Sequence, residues 1–143
     1  MRFFFYGTLI DPEVLGAVLG RPVESTRRRE AVVEGYGCVY RRGACYPVLV
    51  PDAPARTAGT VVSALTSRDV ALLRLYEGPD YEIREITVRL SGNRARFVRA
   101  NVFLPGTGCE ASSEIWTLED WKKRFRQTFV RRVRRHRRAN PSR

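Results

Sequence analysis

The chain has 143 residues, 43% of them apolar, and a formal charge of +11. That length fits one domain with its own core, no apolar run approaches the roughly 20 residues of a membrane-spanning helix, and Arg2-Phe3-Phe4-Phe5-Tyr6-Gly7 is too short for a signal peptide, so a cytoplasmic protein is expected. Cys38, Cys45 and Cys109 are odd in number and lack C-x-x-C spacing, which argues against a disulfide framework or a zinc site, and the single histidine, His136, sits in an arginine-rich tail, which argues against a Cys–His enzyme.

Phe3, Phe4, Phe5 and Tyr6 read as a buried first strand. Gly7-Thr8 then turns the chain, and Asp11-Pro12-Glu13 supplies an N-cap, a proline for the first helical position and an acid for the first turn. Val14, Leu15, Val18 and Leu19 form one face of the short helix, which Gly20 and Arg21-Pro22 stop. Beyond a polar joint from Ser25 to Glu30, AVVEGYGCVY and CYPVLVPD read as two strands, with Pro47 marking an edge or bulge in the second. A further strand is expected at GTVVSAL. Thr66 and Asp69 have capping-box spacing before DVALLRLY, whose Val70, Leu72, Leu73 and Tyr76 are available for packing.

Glu77-Gly78-Pro79 ends that helix. EIREITVRL follows, with Ile86, Val88 and Leu90 on one face, and the two-residue period places Arg84 on that face too. A turn at Ser91-Gly92-Asn93 leads to the strand RARFVRANVFL. Pro105 to Ser113 reads as a loop, and Thr117 with Asp120 as a helix start. The final helix gathers Leu118, Trp121, Phe125, Phe129 and Val133 into one stripe, with its basic residues turned to water. From Lys122 onward there is no acidic residue, so the body is close to neutral and the charge belongs to the tail. Residues 139–143 are expected to fray.

Two places carry chemistry. Between strand and helix, the Tyr6-Gly7-Thr8-Leu9 turn exposes successive N–H groups that suit a carboxylate or phosphate, with Gly7 allowing close approach to the main chain; the same residues also suit a purely architectural turn around a packed Tyr6. Glu77, at a helix C-terminus, meets exposed carbonyls that disfavour its charge, and apolar neighbours would raise its pKa further if it points inward. A base so shifted suits proton transfer near neutral pH, and the same position also reads as a solvated helix end.

In order along the chain, YGTL, YPVLVPD and L-x-x-L-Y-E-G-x-x-Y-x-x-R resemble the γ-glutamylcyclotransferase-like family, which includes AIG2-like proteins. The resemblance spans most of residues 3–104 and weakens in the basic helix. It implies a small α+β domain of residues 1–138, with a mixed barrel-like sheet, short flanking helices and a C-terminal basic helix. It also implies one pocket in which Tyr6, Gly7, Thr8, Leu9, Tyr81 and Arg84 bind substrate and Glu77 is the catalytic acid/base. The implied reaction turns the substrate's α-amino group onto its own γ-carbonyl, giving 5-oxoproline and a free amine without metal, nucleotide or other cofactor. Two alternatives stay open: a non-catalytic small-molecule-binding member of the fold, and a protein contacting nucleic acid or another polyanion through its basic tail.

Overall fold

The computed structural model describes residues 1–92, 94 and 96–139, with side chains through residue 135. The strands are β1 (Phe3–Phe5), β2 (Arg28–Arg41), β3 (Pro47–Val62), β4 (Tyr81–Leu90), β5 (Arg96–Pro105) and β6 (Ala111–Ile115), and the helices are α1 (Pro12–Leu19), α2 (Ser67–Glu77), α3 (Leu118–Arg124) and α4 (Arg126–Ala139). The sheet order is β3-β1-β5-β4-β2-β6, and β3 also pairs with β2. That extra pairing closes five strands into a barrel and leaves β6 as an addition on β2. All pairings are antiparallel except β1 with β5, so the sheet is mixed, as the resemblance implies.

The aromatic opening makes sense in this frame because β1 is buried on both faces. Phe4 and Tyr6 belong to a cluster with Ala31, Val33, Leu49, Val61, Val88 and Val102, drawn from all five barrel strands, which is the barrel interior. Phe3 and Phe5 face the other way, into a layer shared with α1, α2 and α3. Gly59 is required where β3 crosses β1, since a Cβ there would fall onto the Phe5 carbonyl and within 2.8 Å of the Phe4 ring.

The helix ends follow the sequence. Asp11 caps α1 by accepting from the Glu13 amide at 2.9 Å, and Gly20 ends it in the left-handed region at φ 77°. Thr66 and Asp69 form a reciprocal capping box on α2. Thr117 caps α3 through the Asp120 amide.

Four expectations need correction. The segment GTVVSAL is no separate strand; its first four residues continue β3, whose register against β2 jumps from Glu34/Arg56 to Tyr36/Pro51. Residues 52–55 therefore have no opposite number in β2, and the prolines at 51 and 54 sit where few ladder bonds are lost. Within the expected 105–113 loop, Ala111 begins β6, which pairs with Val39 and Arg41. The last helix is two, because Phe125 leaves helical geometry at φ −130° and ψ −19°. Its basic residues do not all face water either, since Arg126 bonds the buried Asp11 and also reaches Glu13, and Arg134 pairs with Glu13 at 3.0 Å. Of the expected turn, Asn93 lies outside the described residues, as do residues 140–143 of the expected frayed tail and the side chain of His136. Among the described residues no helix is long and apolar enough to cross a membrane.

Candidate active site

A cavity of about 560 Å³ opens where β1 runs into α1, with α2 and α4 as its walls. Its inner part is formed by residues that the sequence had placed far apart. Tyr6, Gly7, Thr8 and Leu9 supply one side, and Glu77 and Tyr81 the other. Each is held by a specific contact. The Tyr6 hydroxyl donates to the Phe103 carbonyl at 2.6 Å, and the Tyr81 hydroxyl to the Pro47 carbonyl at 3.1 Å. Thr8 Oγ1 and the Tyr76 hydroxyl share a 2.6 Å hydrogen bond, which ties the turn to the last turn of α2.

That last turn fixes Glu77. Gly78 ends α2 with its amide donating to the Arg74 carbonyl, so Glu77 is the final helical residue and its carboxylate enters the cavity. Burial pushes its carboxyl from the ordinary 4.5 up to about 8. Among the described residues no hydrogen bond or ion pair to its side chain offsets that cost. Burial and the nearby Glu77 charge also raise Tyr6, Tyr76 and Tyr81 above the ordinary phenol value, so all three remain neutral hydroxyls at pH 7. A carboxyl poised near neutrality among neutral phenols can accept a proton and give it back.

Gly7 lines the cavity and also has a packing role. Its φ is −121°, and a Cβ would come 2.8 Å from Pro47 Cγ, so the glycine admits the proline ring against the turn. Pro47 in turn lines the cavity.

Arg84 is not in the site. It shares a strand face with Ile86, Val88 and Leu90, but the apolar cluster on that face begins at Ile86. The Arg84 side chain is 62% exposed and donates to Glu82 at 2.7 Å, while Tyr81 lies on the opposite face of β4. A different arginine approaches the site from behind. Arg41 pairs with Asp80 at 2.5 Å and lies about 6 Å from the Tyr46 and Tyr81 ring centroids.

Sequence reasoning also missed the α4 wall. Phe129, Arg132 and Val133 line the outer cavity, a spacing that puts them on one helix face. Phe129 packs edge-on against both Tyr76 and Trp121, with centroids 5.9 and 5.4 Å apart. Burial pushes the Cys38 thiol up to about 12, which keeps it protonated at neutral pH.

Comparison with known proteins agrees with this architecture. The family model described as gamma-glutamyl cyclotransferase, AIG2-like, matches residues 3–123. Two Arabidopsis thaliana relatives, AIG2-like protein C and AIG2-like protein A, are 26% and 27% identical over 128 residues, covering 89% of this chain and 72% and 75% of theirs. An Arabidopsis thaliana protein solved in solution superposes with a TM-score of 0.67 at 23% identity, over 98% of this chain and 84% of that one. A yeast γ-glutamyl cyclotransferase specific to glutathione superposes with a TM-score of 0.57 at 16% identity, over 86% of this chain and 76% of that one. These structural likenesses bear on the fold. The family match ends within α3, and α4 lies beyond it.

Proposed function

The chain belongs to the gamma-glutamyl cyclotransferase, AIG2-like family, and from that premise we propose that it releases 5-oxoproline and a free amine from a γ-glutamyl compound, with Glu77 as the general acid/base. The observation that carries this reading is Glu77 itself: a carboxyl that burial raises to about 8, lining the same cavity as the Tyr6–Leu9 turn.

The chemistry asks for such a group. The substrate's α-ammonium must lose a proton before its nitrogen can attack the γ-carbonyl carbon. A carboxylate with an ordinary pKa is a poor acceptor, and each unit of mismatch costs about 1.4 kcal/mol. Glu77 takes that proton, the nitrogen closes the five-membered ring, and the γ-amide C–N bond breaks. That proton passes from Glu77 to the departing nitrogen, the ring nitrogen sheds its second proton by the same route to leave the lactam N–H, the amine departs as its ammonium, and no water is consumed.

The Tyr6–Leu9 turn holds the α-carboxylate of the glutamyl group through main-chain N–H groups. Thr8 and Leu9 open a short turn of helix, where amides lack intrahelical acceptors. Tyr6 and Tyr81, both fixed by carbonyls, shape the space around the folded chain. Holding that chain in its ring-closing conformation is a problem of orientation, to which a rigid cavity contributes directly. Incubation with a panel of γ-glutamyl amines and peptides, with 5-oxoproline detected by mass spectrometry, tests the reading. Turnover by the wild type and its loss in Glu77→Gln is expected; near-wild-type turnover by that variant would remove Glu77 from the role.

A further inference from the structure

We infer that the outer face of α4 is a docking surface for the phosphate backbone of a nucleic-acid duplex, bound without regard to sequence. The inference is independent of the reaction proposed for the cavity and concerns the side of the helix that faces away from it.

Three observations carry it. The chain's whole net charge of +11 lies from Lys122 onward, and the family match ends at residue 123, so the charge is concentrated in a helix beyond that match. α4 is also fixed in its orientation. Phe129, Val130 and Val133 pack into the core, and Arg126 and Arg134 are tied to Asp11 and Glu13 at the start of α1. That leaves Gln127, Thr128, Arg131 and Arg135 on the opposite face, all of them exposed. Finally, among the described residues Arg131 and Arg135 enter no ion pair or hydrogen bond, although they stand one helical turn apart and repel each other. A polyanion laid along the face supplies the counter-charge that the described residues do not.

The chemistry of the face selects among polyanions. Guanidinium forks match the oxygens of a phosphate, and a duplex presents one such charge per about 1.7 Å of its axis. No aromatic side chain lies among the exposed described residues of α4, so unpaired bases find nothing to stack on and a single strand is the poorer ligand. An anionic lipid surface is poorer still, because a helix that adsorbs to a bilayer buries its apolar face there, and the apolar face of α4 is already in the core. With no side chain set up to read base edges by a forked contact other than arginines that also meet phosphates, binding follows the backbone and not the sequence.

The test uses the full chain and a labelled pair of short DNA duplexes of unrelated sequence, their single strands, phosphatidylserine vesicles and poly-glutamate, with binding followed between about 50 and 200 mM salt. Both duplexes should bind alike, more tightly than the single strands, the vesicles or poly-glutamate, and more weakly as salt rises. Arg131→Gln/Arg135→Gln should weaken duplex binding about tenfold or more at the lower salt and reduce the slope of log affinity against log salt by about 2. Because it removes a repulsive pair, this variant should melt no lower than the wild type. Arg131→Lys/Arg135→Lys keeps the charge and should keep the slope and most of the affinity. Arg29→Gln/Arg56→Gln, which takes the same charge from exposed positions on β2 and β3, should alter duplex binding by less than about twofold. An equal loss in that barrel variant would mean that net charge and not this face is responsible, and would overturn the inference. So would absence of duplex binding at the lower salt, or binding to the single strands, vesicles or poly-glutamate as tight as to the duplexes.

Discussion

Replacing Glu77 by Gln should make the protein more stable, by an amount that grows with pH. In the unfolded chain the carboxyl ionises at its ordinary 4.5, whereas in the folded protein burial holds it to about 8. The folded state therefore binds more protons between those values, and stability falls as pH rises from 4.5 through 8 before levelling. At 1.36 kcal/mol per unit, the cost of Glu77 is negligible at pH 4, about 3 kcal/mol at pH 7 and about 5 at pH 9, as upper figures for a group with some access to cavity water. Glutamine keeps the shape and removes the ionisation. Urea unfolding of wild type and Glu77→Gln across this pH range should show curves that meet near pH 4 and diverge above it. At pH 7 the variant should melt on the order of 10 °C higher. Parallel curves from pH 4 to 9 would mean that Glu77 ionises normally, and the argument for it as a neutral-pH base would fail.

Two further substitutions probe the frame around the site. Trp121 is fully buried, its indole N–H has no partner among the described residues, and it packs against Phe129, so Trp121→Ala should cost ~3–5 kcal/mol while Trp121→Phe, which removes the unpaired donor, should cost only ~1–2. Equal losses in denaturant titrations would show that ring packing is not what Trp121 contributes. Gly7→Ala should lose ~1–3 kcal/mol and turnover together because its methyl meets Pro47, and most of that loss should disappear in a Pro47→Ala background. Strict additivity of the two changes would refute the close packing of Gly7 on Pro47.

Much of this was legible from local rules. The FFFY run, the Asp11 and Thr66 caps and the ends at Gly20 and Gly78 each have a cause within a few residues, and the structure contains each of them. Glu77 could be singled out because a helix-terminal carboxylate before glycine is electrostatically conspicuous. What escaped depends on distant partners. CYPVLVPD and GTVVSAL read as two strands because the irregularity that joins them, residues 52–55 of β3 opposite Gly35 at φ 83°, exists only in the pairing with β2. Ala111–Ile115 is strand only because Val39 and Arg41 offer an edge. The family pattern implied Arg84 in the site and strand parity put it on the apolar face, but parity does not give how far along that face the burial extends. Arg132 looked like one cation of a solvated run, and its place at the cavity follows from the orientation of α4, set by Phe129 and Val130 in the core and by the Asp11 and Glu13 contacts of Arg126 and Arg134.

The central claim is that a γ-glutamyl chain closes on itself at Glu77, and the nature of the product tests it most directly. Wild type and Glu77→Gln should be incubated at pH 8 with a γ-glutamyl compound that the wild type turns over, and 5-oxoproline and glutamate quantified separately. The account predicts 5-oxoproline and the free amine in equal amounts, no glutamate, and neither product from the variant. Release of glutamate in place of 5-oxoproline would mean that water and not the substrate's own nitrogen attacks, and would contradict it.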